Sequence, residues 1–163
     1  MIFLIIWLIG LVLAVLHYLI RRSKLTKKQT VELFIIYLIL FGYGGMGIFG
    51  AMGHILNPVG VAKGIGWEPS PLFQFELGAV ELGWALTALI ALWVRNKYYW
   101  LGMAIAPAVM LILAAAQHLI EAYGKGNFAP YNFIIILPDL LIPLSVLVLL
   151  AYYFQLTKNE AAE

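Results

Sequence analysis

Cysteine is absent from this chain of 163 residues, and charged side chains make up only 11% of it. The first absence excludes disulfides, thiol catalysis and cysteine-held iron–sulfur clusters, and it leaves the redox compartment unreadable. The second sets the chain apart from soluble domains, in which about a quarter of residues are charged. A formal net charge of +2 is too small to point to nucleic acid as a partner. No polar stretch is long enough to form a second domain, and no convincing repeat or low-complexity segment is present. The serines Ser70 and Ser145 have no histidine–acid pair at their depth, so a serine hydrolase is not supported.

What is present in abundance is apolar sequence, at 64% of residues with a mean hydropathy of +0.96. Runs of ~20 apolar residues, the length that crosses a bilayer, recur along the chain. They predict an all-α bundle of five transmembrane helices over about 2–20, 32–56, 71–94, 98–122 and 132–154, forming one domain over 1–163. The first run has no basic residue before it and "RRSKLTKK" after it. A signal peptide has the opposite order, so this run reads as a retained helix. The lipid bilayer, in a cell membrane crossed several times, is the first expected partner.

Orientation follows from the basic residues, which are retained on the cytoplasmic side. Arg21, Arg22, Lys24, Lys27, Lys28, Arg95, Lys97 and Lys158 fall on one side, and only Lys63 and Lys125 on the other. The N-terminus is therefore expected outside and the C-terminus inside. Tyr98, Tyr99, Trp100, Tyr152 and Tyr153 would mark one interface, and Trp67, Tyr123 and Tyr131 the other. Span two carries "FGYGGMGIFGAMGH", with six glycines. Small residues let helices in lipid approach closely, within one chain or between copies in a homo-oligomer, and they also clear room for a cofactor or a hinge. Pro107, Pro138 and Pro143 each remove a helix hydrogen bond and predict kinks in spans four and five.

The ionisable residues in this apolar sequence form a pattern. His54 lies near the outer end of span two, and His118 and Glu121 close the outer end of span four. At a rise of ~1.5 Å per residue, Glu76 is ~7 Å inside span three, Glu81 ~15 Å, and Asp139 ~10 Å into span five. On span three, Phe75, Leu82, Leu86, Leu89 and Trp93 form one stripe that suits lipid. Glu76 and Glu81 fall on opposite flanks of it, with Trp84 between them, which predicts a central span three with neighbours on both sides. His17, near the other end of span one, reads as an interfacial histidine without a role.

A charged carboxylate at membrane depth costs roughly 2.5–3.5 kcal/mol on insertion scales. The remedies are protonation, a hydrogen bond from histidine or tryptophan, or a bound cation, because no lysine or arginine lies within the spans. A pocket open to the outside, with Glu81 and Asp139 as floor and His54, Glu76, His118 and Glu121 as rim, would bind a cation or small solute, with or without transport. Imidazole with carboxylate also suits zinc, iron or manganese, and His-x-x-Glu on span four reverses the Glu-x-x-His element of di-metal bundles. His54 and His118, at similar depth on two helices, are a further candidate pair for a b-type haem. The remaining reading is a membrane subunit whose neutral acids specify helix packing.

The segments "GWEPSPLFQFELG", "HLIEAYGKGNFAPYN" and "LPDLLIP" together resemble an uncharacterised family of small bacterial and archaeal multi-span membrane proteins. The family shows a G-W-x-x-S-P-F-Q-x-E-like stretch, a G-H-x-x-E-like helix end and a G-N-x-A-P-x-N loop. The resemblance carries over to Glu76, His118, Glu121, Asn127, Asn132 and Asp139, and implies a site location without a chemistry. In the loop "GKGNFAPYN", Gly124 and Gly126 suit chain reversal, and Asn132 suits an N-cap for span five.

Overall fold

In the computed structural model, which describes residues 1–159, five helices are long and apolar enough to cross a membrane. They are span one (Ile2–Lys24), span two (Lys27–Leu56), span three (Pro71–Ile90), span four (Lys97–Gly124) and span five (Pro130–Lys158). No strand occurs among the described residues. The chain is an all-α, multi-pass membrane protein. Its large exposed hydrophobic residues, ten of them on span one between Ile2 and Ile20, form the surface that lipid would cover.

Span two starts five residues earlier than the hydropathy pattern predicts, because a capping box opens it. The Thr26 hydroxyl accepts from the Gln29 backbone N–H at 3.2 Å, and the Gln29 side chain accepts from the Thr26 N–H at 2.9 Å. The two orphan donors are thereby satisfied ahead of the apolar run. The stretch expected as a loop between spans two and three forms a linker helix, Pro58–Ile65. Asn57 caps it by accepting from the Gly60 N–H at 3.1 Å, Pro58 supplies the preset first helical φ, and Gly66 ends it in the left-handed region at φ 81°.

Span two, not span three, is the central helix; it is the most buried of the five. Within it, Ile39–Gly45 is π-helical and lies against all four other spans. Its small residues permit that crowding. A β-carbon at Gly42 would press on Ile142 of span five, and one at Gly45 on Ile6 of span one. The glycines considered for a homo-oligomer face are thus used inside the chain. Span one is held by its Trp7, Gly10 and Ala14 stripe, and the Trp7 indole donates to Ser145 Oγ of span five at 3.2 Å.

Span five is interrupted by a turn at residues 134–135, between the short helix Pro130–Phe133 and the long helix Ile136–Asn159. Pro138 explains the position, since its ring clashes with the carbonyl four residues back and it has no N–H to donate. Two expected interfacial aromatics are core residues instead. Trp100 is 1% exposed and packs on Tyr153 with ring centroids 5.6 Å apart, because both face span four–span five contacts rather than the membrane boundary.

Candidate functional site

The site begins with a stripe on span three. Gln74, Gly78, Glu81, Ala85 and Ala88 are buried, at spacings of three and four residues that keep them on one helical face. That face meets span two, where Gly47, Gly50 and Ala51 are buried. A β-carbon at Gly50 would lie 2.7 Å from Cδ of Glu81, and one at Gly47 would overlap the Trp84 indole. The glycine run therefore makes room for two side chains of span three, a carboxyl and an indole. His54, one turn beyond Gly50, faces both polar members of the stripe. Its Nδ1 hydrogen-bonds Gln74 Oε1, and its Nε2 stands 3.9 Å from Glu81 Oε2. Because an amide oxygen only accepts, Nδ1 carries the hydrogen in that bond and Nε2 of the neutral ring presents its lone pair to Glu81.

Glu81 and His54 open onto a cavity of about 680 Å³ at the end of the bundle opposite the eight basic residues. All five spans and the linker helix contribute to its wall. The lining is mainly apolar and aromatic, including Phe49, Phe73, Leu77 and Met110. The acids and imidazoles in it are His54, Glu81, His118 and Asp139; Tyr131 and the terminal residue Met1 also line it, and no lysine or arginine does among the described residues. Glu81 is 6% exposed and Asp139 2%. One oxygen of each, Glu81 Oε2 and Asp139 Oδ1, is buried without a hydrogen-bond partner. An orphaned buried carboxyl oxygen is costly, so two of them in one cavity require an explanation.

At the mouth, His118 is clamped. Its Nδ1 meets Asn132 Oδ1 at 2.8 Å, while Asn132 Nδ2 donates to the carbonyls of His118 at 3.2 Å and Asn127 at 2.7 Å. Asn132 is fully buried and is this clamp rather than the expected N-cap, a position taken by Ala129. Trp67 stacks on the His118 ring at 5.8 Å between centroids, so it serves the site instead of an interfacial belt. Asn127 Nδ2 donates to the Ile65 carbonyl at 3.0 Å, which ties the loop to the end of the linker helix.

Of the six expected site residues, four line the cavity and two do not. Glu76 is exposed on span three, although neither acid was expected to face outward. It lies two residues from Gln74, and that spacing turns it off the buried face. Glu121 is satisfied locally, by Lys125 four residues on and by Gln117 Nε2 at 3.3 Å. That salt bridge forms at the end of the span, where i,i+4 spacing brings Lys125, just beyond it, onto Glu121. No group of three or more histidine and acidic side chains converges on a point that would hold a metal ion, among the described residues. The six-residue metal cluster is therefore not assembled, because the residues are spread over four spans and at different depths. The two histidines expected as a haem pair both line the cavity, His54 with its Nδ1 on Gln74 and His118 with its Nδ1 on Asn132.

Gln74 and Trp67 were not among the expected site residues. Gln74 had a signal, since seven residues before Glu81 is the same helical face, but an uncharged amide does not stand out beside two acids. Trp67 had none, because its contact with His118 is made across 51 positions of chain.

No curated protein and no solved structure matches this sequence. A family model does, over residues 1–159. The chain belongs to the family of unknown function DUF6790.

Proposed function

We propose that this membrane protein binds a small organic cation, an amine or quaternary ammonium with an apolar body, in the cavity between its spans. The observation that carries the reading is the pair of uncommitted carboxyl oxygens, Glu81 Oε2 and Asp139 Oδ1, in a cavity without a lysine or arginine in its lining. A cationic head between them would satisfy both acids. The apolar and aromatic wall would take the body, and aromatic rings such as Phe49, Phe73 and Trp67 add cation–π attraction. The volume of about 680 Å³ suits a small molecule. A bare inorganic cation is supported less well, since it needs several converging oxygens and no such cluster is present among the described residues. His54 completes the arrangement as the neighbour able to exchange a proton with Glu81 across 3.9 Å when the cation arrives or leaves.

The test is equilibrium binding to the purified full chain in detergent. Benzyltrimethylammonium and aliphatic amines are compared with neutral isosteres of the same shape. The charged compounds should bind, and Glu81→Gln or Asp139→Asn should weaken them about tenfold or more, given ~1.5–3 kcal/mol for a hydrogen bond to a charged group. Glu76→Gln, on the exposed face, should change nothing. Neutral isosteres binding as tightly as cations, or indifference to Glu81→Gln, would overturn the proposal.

A further inference from the structure

A second concavity lies at the opposite end of the bundle, where spans two and four begin and span five ends. It measures about 290 Å³, and its lining holds three cations, Lys28, Arg95 and Lys97, together with Asn96, Thr157 and two tyrosines. No carboxylate lines it among the described residues. We infer that this pocket binds a phosphate group, supplied either by an anionic phospholipid headgroup or by free phosphate.

Several features hold the cations in place. Lys97 Nζ donates to Thr157 Oγ1 at 2.7 Å and rests over the Tyr98 and Phe154 rings, 5.4 and 5.0 Å from their centroids. Those contacts fix its stem and leave two of its three ammonium hydrogens for an acceptor. Arg95 Nε donates to the Leu92 carbonyl at 3.2 Å, and one Nη1 hydrogen goes to Glu32 at 3.3 Å. Three of the five guanidinium N–H groups remain. A planar fork beside a compact ammonium is the donor set that suits phosphate oxygens. The depth also fits. Lys27, Lys97 and Lys158 bound three spans at this end, and the exposed Tyr98 and Tyr152 mark the level where lipid tails give way to headgroups. Basic pockets between spans at that level recognise anionic lipid.

The experiment measures binding to the full chain in a neutral detergent, with the shift in melting temperature as readout. One arm titrates phosphatidylglycerol against phosphatidylcholine, and the other titrates inorganic phosphate against chloride at equal ionic strength. Stabilisation by phosphatidylglycerol assigns a lipid source, and stabilisation by phosphate alone a soluble one. In either case Lys97→Gln and Arg95→Gln should each weaken binding about tenfold, the factor equivalent to ~1.4 kcal/mol, for the loss of a direct hydrogen bond to a charged group. Lys97→Arg should retain binding. Lys24→Gln, at the same end but outside the pocket, should not weaken it. No response in either arm would overturn the inference, as would a loss in Lys24→Gln equal to that in Lys97→Gln, because that is the mark of diffuse charge. Should Lys97→Gln not fold, Arg95→Gln against Lys24→Gln decides alone. The cavity at the other end plays no part in this outcome.

Discussion

Replacing Gly50 by alanine tests the close packing of spans two and three on which the cavity depends. The added β-carbon would lie 2.7 Å from Cδ of Glu81 and closer still to its Oε2. Carbon atoms in contact rest ~3.5–4.0 Å apart, so about 1 Å must come from moving Glu81 or parting the helices. Over-packing of this size costs ~1–3 kcal/mol. Alanine is also the better helix former by ~1 kcal/mol, a gain shared by Gly83→Ala on span three, where a β-carbon meets nothing within 4 Å. The difference between the two variants, ~1–3 kcal/mol in favour of Gly83→Ala, isolates the steric term. Reversible unfolding in mixed micelles measures it. A double-mutant cycle sharpens the result. Removing the carboxyl by Glu81→Ala should cost less in the Gly50→Ala background than in the wild type, with a coupling of at least ~0.5 kcal/mol. Equal stabilities of Gly50→Ala and Gly83→Ala, or a coupling of zero, would show that Glu81 does not occupy the space that Gly50 leaves.

Three further outcomes are expected. Asn132→Ala should destabilise by ~1–3 kcal/mol in the same unfolding assay, because it strips partners from His118 Nδ1 and from two carbonyls around a fully buried site. The tryptophan emission of Trp67 should shift in His118→Ala, since its stacking partner is removed; an unchanged spectrum would contradict the packing at the cavity mouth. Single cysteines at positions 63 and 125 should react with an impermeant maleimide in intact cells and those at 26 and 96 should not, because the basic residues collect at the latter end; the reverse labelling would invert the orientation.

Membrane class, the number of spans and their approximate bounds were readable from the sequence, because hydropathy accumulates locally and needs no knowledge of neighbours. The lipid-facing stripe of span three was readable as well: Phe75, Leu82, Leu86 and Leu89 are exposed, as a helical period requires, and so is Trp93 in the turn that follows the span. The cap of the linker helix was written in Asn57-Pro58 and Gly66, but those residues suit a loop equally until the chain around them is folded. Only the tertiary structure decided which acids turn inward. Glu76 and Glu81 are chemically identical and both sit in apolar sequence. They differ because Gly50 on another helix leaves a space for one, while the other turns to the exposed face. The same holds for the centre of the bundle, which went to span two because its small residues let four helices close on it at once. Periodicity assigns a residue to a face of its own helix; what that face meets is a property of pairs of helices, set by side chains distant in the chain.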